Sequence, residues 1–315
     1  MIAMEDKGFH ALENCYSDIA RAKVVVVPFG YAIDVKETKE APQRIINASH
    51  SVESFDESRM APGDPIFDIY SASPKKELDR GERLKINGLA TLVDLNDGKL
   101  EREELIRQFT DVIQTLVGAN KIPIILGGDH NVTPLAISAI KNTYSNLAVL
   151  HFDSRLDLLS EGQDNDSNRS VMRKIFPHVD SIVSVGFRSV RREEMQFMRQ
   201  NSGKIHGIMM RGQLRPPWES LTALRNIARY LKDKNVYITF DTSFLDPSTI
   251  GHTAKTPEPG GMTFDETLDV WVKLLPEINI VGADFVEYCP TKHFAPDYAF
   301  AKLISRFISR LSIRG

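Results

Sequence analysis

Cysteine is scarce in this chain. Two in 315 residues, Cys15 and Cys289, exclude a cysteine-ligated zinc cluster and point to a reducing compartment. No apolar run approaches the roughly 18–20 residues needed to span a bilayer. The first residues do not read as an apolar leader either, because Glu5, Asp6 and Lys7 stand where the apolar stretch would begin, and none is expected. Nor is there an excess of either charge. With 39 basic and 42 acidic residues the net charge is −3, which offers no basic surface for nucleic acid or anionic lipid. Internal repeats, low-complexity tracts and linker-like composition shifts are absent. What remains is ordinary core-forming material, 42% hydrophobic. The expectation is a soluble cytoplasmic protein with a single domain over residues 1–315.

Short β-branched apolar runs alternate with amphipathic stretches. The runs are Val24–Val27, Ile122–Leu126, Leu147–Phe152, Ile182–Val185, Val236–Phe240 and Ile278–Val281, each the length of a buried parallel strand. Between them, Leu105, Phe109, Ile113 and Leu116 recur at helical spacing, and Gly118 follows as a stop. Leu221–Leu231, Phe264–Leu275 and Tyr298–Ile313 read the same way. Strand–helix alternation predicts a three-layer α/β/α fold around a mostly parallel sheet.

In such sheets the ligand site lies beyond the carboxyl ends of the strands. Here those ends carry polar residues. Ile122–Leu126 runs into Gly127, Gly128, Asp129 and His130, and Leu147–Phe152 into Asp153, Ser154, Arg155, Leu156 and Asp157. Val236–Phe240 runs into Asp241, Thr242 and Ser243, and the last run continues to Asp284 and Glu287. Alternation along an extended chain lets Asp153, Arg155 and Asp157 point together. A single Asp after a strand is usually a turn former or helix cap. Several acids and a histidine on one rim instead suggest a hard-metal site, Mn²⁺ first, with Mg²⁺ or Zn²⁺ behind it.

These segments resemble the signatures of the ureohydrolase superfamily, which includes arginases, agmatinases and formiminoglutamases. Gly127–Thr133 is similar to GGDHS-[VI]-T, His151–Asp157 to HFDAHxD and Phe240–Pro247 to SFDxDxxDP. Ala41–Ser49, Gly186–Ser189, Thr256–Gly261 and Asp284–Glu287 resemble further family segments. The likeness runs in order over roughly residues 20–310, and the TPEPGG and SVMRK stretches favour agmatinase over arginase. It implies an arginase-like fold, a trimeric or hexameric homo-oligomer, and metal-dependent hydrolysis of a guanidino or linear amidine C–N bond. Agmatine, giving putrescine and urea, is the first substrate expected.

The resemblance also implies which residues serve. His130, Asp153, Asp157 and Asp241 match the complete ligand set of one Mn²⁺. The second ion's own ligands fall at Arg155 and Ser243, and neither is competent, since a guanidinium has no lone pair to offer. Asn168 stands where the family has a proton-shuttle histidine, and an amide exchanges no proton near neutral pH. One ion is therefore expected. Asp157, Glu287 and Arg155 are the candidate catalytic residues, and Glu287 and Asn168 the candidate substrate binders, Glu287 for the guanidinium. Arg155 either offsets the charge of Asp153 and Asp241 or orients a substrate or a water. His151 is expected packed beside the ligands, Lys255 solvated in its loop, and Met209 and Met210 in the core. His10, His50, His178, His206, His252 and His293 form no readable constellation. The alternative function is a relative without turnover that binds a ligand or regulates assembly.

Overall fold

A computed structural model describes residues 7–11, 18–53, 88–96, 98–162, 167–210, 217–251 and 254–311. Cys15, His252 and the end of the last helical pattern at Ile313 lie outside them. Eight strands form one sheet: β1 (Val24–Phe29), β2 (Leu89–Thr91), β3 (Ile122–Gly127), β4 (Leu147–Phe152), β5 (Ser181–Phe187), β6 (Ile205–Met209), β7 (Asn235–Asp241) and β8 (Asn279–Val286). Their order is β2-β1-β3-β8-β7-β4-β5-β6, and every pairing is parallel. The six runs read from the sequence are all strands. β8 extends beyond its run to Val286, whereas β2 and β6 had no clear signal.

Helices cover both faces, because successive residues of each strand point to opposite sides and both sides are apolar. Val24 and Val26 of β1 pack with α1 (Ala41–Ser49), α6 (Pro217–Leu231), α8 (Phe264–Leu274) and α9 (Phe294–Ser309). Val25 and Val27 join the opposite core with α2 (Arg102–Gly118), α3 (Val132–Ile140) and α4 (Val171–Ile175), and α5 (Arg192–Gln200) packs against that core. One further turn, α7 (Pro247–Ile250), follows β7. The result is the expected three-layer α/β/α architecture. Met210 is buried as expected, but Met209, at the end of edge strand β6, is 39% exposed.

Register sets the level of the site. Leu126, Phe285, Phe240 and Phe152 align across the adjacent strands β3, β8, β7 and β4. Asp241 and Asp153 directly follow Phe240 and Phe152, so they stand side by side at the carboxyl rim. These four strands are the middle of the sheet, and Asp153 and Asp241 at their ends are each 1% exposed.

Candidate metal centre

The loop after β3 is fixed before any side chain is considered. Gly128 donates its N–H to Phe29 O at 3.1 Å, Asp129 N–H donates to Tyr31 O at 3.0 Å, and Gly128 O accepts from Glu287 N–H at 2.9 Å. A Cβ on Gly128 would lie 1.9 Å from Tyr31 O, so no larger residue fits. Asp129 is a staple rather than a ligand. Its Oδ2 accepts from Ile33 and Asp34 N–H at 2.6 and 2.9 Å, and its Oδ1 from Asn131 N–H at 3.0 Å.

That loop delivers His130 into a buried ring of acids. Its Nδ1 lies 3.2 Å from Asp157 Oδ2, 3.4 Å from Asp241 Oδ2 and 3.6 Å from Asp153 Oδ2. His130 Nδ1, both Asp157 oxygens and Asp241 Oδ2 are buried without a hydrogen bond. Asp157 Oδ1 faces the Arg155 Nε. The other three, His130 Nδ1, Asp157 Oδ2 and Asp241 Oδ2, face one another, and because buried polar atoms are nearly always satisfied, they mark a place for a cation. The donor set is one imidazole nitrogen and three carboxylates, which fits a hard divalent ion such as Mn²⁺. His151 is buried beside them, its Nε2 3.1 Å from Asp153 Oδ2 and its Nδ1 3.2 Å from Ser184 Oγ. A ligand atom from each of His130, His151, Asp153 and Asp157 lies within 4.8 Å of the others.

Asp157 takes part only because its backbone is left-handed, with φ of 51°, and Glu287 has φ of 63°. Such conformations cost about 1 kcal/mol or more for a residue with a side chain and persist where surrounding contacts fix them. Around Asp157, its carbonyl accepts from Arg173 N–H at 3.2 Å, and Leu158 N–H donates to buried Glu194 Oε1 at 3.2 Å.

The oxygens on the other side of the shared acids are already occupied. Asp153 Oδ1 accepts from Ser243 Oγ at 2.9 Å and Arg155 N–H at 3.0 Å, with Ser154 Oγ at 3.3 Å. Asp241 Oδ1 accepts from Ser243 N–H at 2.6 Å. Ser243 is thus a donor where a second ion would need a ligand. Arg155 is buried, with Nε 3.2 Å from Asp157 Oδ1. The expected charge partner changes accordingly: the direct ion pair is with Asp157, while Asp153 and Asp241 act on the guanidinium as neighbouring charges. The residues fit one ion and do not fit a second.

Glu287, also buried, accepts from His130 N–H at 2.8 Å and from Asn168 Nδ2 at 2.7 Å, both on Oε1. Asn131 Nδ2 donates to Asn168 Oδ1 at 2.5 Å, and Lys174 Nζ to Asn131 Oδ1 at 3.1 Å. Asn168 therefore orients Glu287 within a polar chain. Beneath the centre, His130 Nε2 is 3.0 Å from Thr239 Oγ1. Thr133 Oγ1 and Tyr237 OH donate to buried Asp284 Oδ2 at 2.9 and 2.8 Å. Sequence reading gave Thr239 no role, although a threonine two residues before Asp241 in an apolar strand was a legible signal. Lys255 is exposed.

The charges set the protonation. Burial opposes a charged imidazole at His130, but contact with Asp157 and Asp241 outweighs it and holds the group well above its ordinary value. Burial, with the nearby Asp241 charge, pushes Glu287 well above the usual carboxylate range. Burial also acts to raise Asp153, yet the His151 contact and the charges of Arg155, His151 and His130 keep it low.

The model of the arginase family matches residues 20–309. The chain is similar to N(1)-aminopropylagmatine ureohydrolase of Thermus thermophilus, 28% identical over 90% of this chain and 88% of the relative. It is also similar to an agmatinase of Halalkalibacterium halodurans, 31% identical over 59% of this chain and 61% of that protein. Among solved structures, the agmatine ureohydrolase of Thermoplasma volcanium superposes with a TM-score of 0.73 at 25% identity, covering 96% of this chain and 94% of that one. Arginase from Bacillus caldovelox shares the fold, with a TM-score of 0.70 at 19% identity over 91% and 98% of the two chains. The chain belongs to the arginase family of ureohydrolases.

Proposed function

We propose that the protein hydrolyses a guanidino or linear amidine C–N bond of a small cation, agmatine first, using one divalent ion, Mn²⁺ in preference to Mg²⁺ or Zn²⁺. The observation that supports it is the convergence of His130 Nδ1, Asp153 Oδ2, Asp157 Oδ2 and Asp241 Oδ2, beside the buried acid Glu287. A divalent ion held by those four residues would supply positive charge and Lewis acidity, which make water a better nucleophile. Burial and the Asp241 charge favour the neutral form of Glu287, so it would ionise against a compensating cation such as the guanidinium, and Asn168 and the His130 amide hold its carboxylate in place. The reaction balances without an added acid: a guanidinium and water give urea and an ammonium ion. Asn168 moves no proton, so the leaving amine must take its proton from the solvent or from the substrate itself. Urea release from agmatine by the Mn²⁺-loaded protein is the test, and no release across pH and related amidines would sink the reading.

A second reading, a relative that binds without turnover, is favoured by the closure of Asp153 Oδ1 and Asp241 Oδ1 by Ser243. Calorimetric binding of agmatine with no urea formed would select it. Both readings carry a single domain over 1–315, a cytoplasmic location and a trimeric or hexameric homo-oligomer, measurable by light scattering. Among the described residues no helix is long and apolar enough to cross a membrane.

A further inference from the structure

Arg155 is a cation built into the wall of an acidic cluster. Its side chain is 6% exposed, its Nε is 3.2 Å from Asp157 Oδ1, and its charge acts on Asp157, Asp153, Asp241 and Glu287. A guanidinium taken out of water is costly unless carboxylates compensate it. The reverse holds equally. Four acids gathered in one buried space repel one another unless a cation compensates them. Ser243 and the backbone amides neutralise no charge, however many hydrogen bonds they donate, so without an ion the permanently charged Arg155 guanidinium, against Asp157 Oδ1, carries that role.

Asp157 is the point where two cations would meet. Its Oδ1 faces Arg155 and its Oδ2 faces His130 Nδ1, each at 3.2 Å. A guanidinium and a divalent ion on one carboxylate divide its charge and repel each other, so each binds more weakly in the presence of the other.

We propose that Arg155 is a tethered counter-cation that keeps the His130–Asp153–Asp157–Asp241 cluster assembled without an ion and competes, through Asp157, with an ion bound there. This rests on the single-ion site proposed above. It replaces the second ion of a paired centre by a charge the chain cannot lose, and it makes stability and ion affinity move in opposite directions.

The experiment compares the full-length protein with Arg155→Gln and Arg155→Lys, all stripped with chelator. Melting temperature is measured without metal, and Mn²⁺ affinity by isothermal titration calorimetry. R155Q is expected to melt lower than wild type yet to bind Mn²⁺ more tightly, by roughly ten- to a hundredfold. R155K, which keeps the charge, should stay close to wild type in both. If R155Q loses stability and Mn²⁺ affinity together, Arg155 is packing alone and the proposal is overturned. Unchanged values for R155Q overturn it as well. Should R155Q fold only when expressed with added Mn²⁺, the ion has replaced the missing cation, as expected; failure to fold even then counts against the proposal. Equal binding by all three proteins removes the competition and leaves the ion site standing. No binding by any of them removes the ion site and the proposal together.

Discussion

Thr239 and Asp284 lie under His130, and their effect is exerted through its ring. An imidazole that donates Nε2–H to Thr239 Oγ1, 3.0 Å away, keeps its Nδ1 lone pair for an ion held among the three acids. Thr239 and Thr133 hydroxyls lie 3.2 Å apart, and Thr133 and Tyr237 anchor on Asp284, whose own pKa burial pushes up. Such outer partners fix the tautomer and orientation of a ligating histidine. Thr239→Val keeps the shape and removes the acceptor, so it should weaken Mn²⁺ binding by roughly tenfold to a hundredfold. Calorimetry of a folded T239V with unaltered affinity would remove this support. The protonation of His130 gives a pH test with a definite sign. An ion must displace a proton that Asp157 and Asp241 hold against burial, above the ordinary imidazole range. Mn²⁺ affinity should therefore fall as pH drops, by roughly tenfold per pH unit below that raised pKa, and level off above it. A profile flat from about pH 6 to pH 8 would exclude His130 from the ligands.

At the scale of elements, the site depends on loops that the strands only launch. Arg188, after β5, donates from Nη2 to Ser243 O at 2.7 Å and Glu258 O at 2.6 Å, and from Nε to Pro259 O at 3.0 Å. It joins the turn carrying Ser243 to the loop at Glu258–Pro259 by backbone carbonyls alone. Arg188→Met should cost about 3 kcal/mol of stability, read from denaturant unfolding, because several carbonyls lose charged donors together. A change within about 0.5 kcal/mol would mean that water replaces the guanidinium. The strands themselves were readable, since buried parallel strands are uniform apolar runs and their register places Asp153 beside Asp241. β2 was not, being three residues long. β6 was not either, because Gly207 breaks its pattern and the strand lies at the sheet edge. The partner of Arg155 escaped the sequence for a different reason. Alternation holds only while the chain is extended, and β4 ends at Phe152. Beyond it, the left-handed turn at Asp157 decides which carboxylate faces the guanidinium. His130 and the three aspartates were legible because motif spacing survives such turns, whereas the identity of each contact does not.

For the molecule as a whole, the central position of β3, β8, β7 and β4 ties the charge of the centre to global stability. At that rim His130, Asp153, Asp157 and Asp241 are each at most 1% exposed. An uncompensated charge there has no solvent to relax into. The triple variant Arg155→His, Ser243→Asp and Asn168→His tests this link. It removes the resident cation and places a new acid where Ser243 now donates to Asp153 at 2.9 Å. Without metal, two carboxylates would face each other and the variant should melt well below wild type. With Mn²⁺ it should bind close to two ions per chain, against one for wild type, and recover its stability. Ligand linkage sets the scale of that recovery at about 2.7 kcal/mol for an ion at a hundredfold excess over its Kd, and more when two ions bind. Urea release from agmatine should rise in the same preparation, since the paired site and the proton-exchanging histidine return together. A variant that stays at one ion and melts low with Mn²⁺ present would show that Arg155 and Ser243 do not stand at the second ion's position.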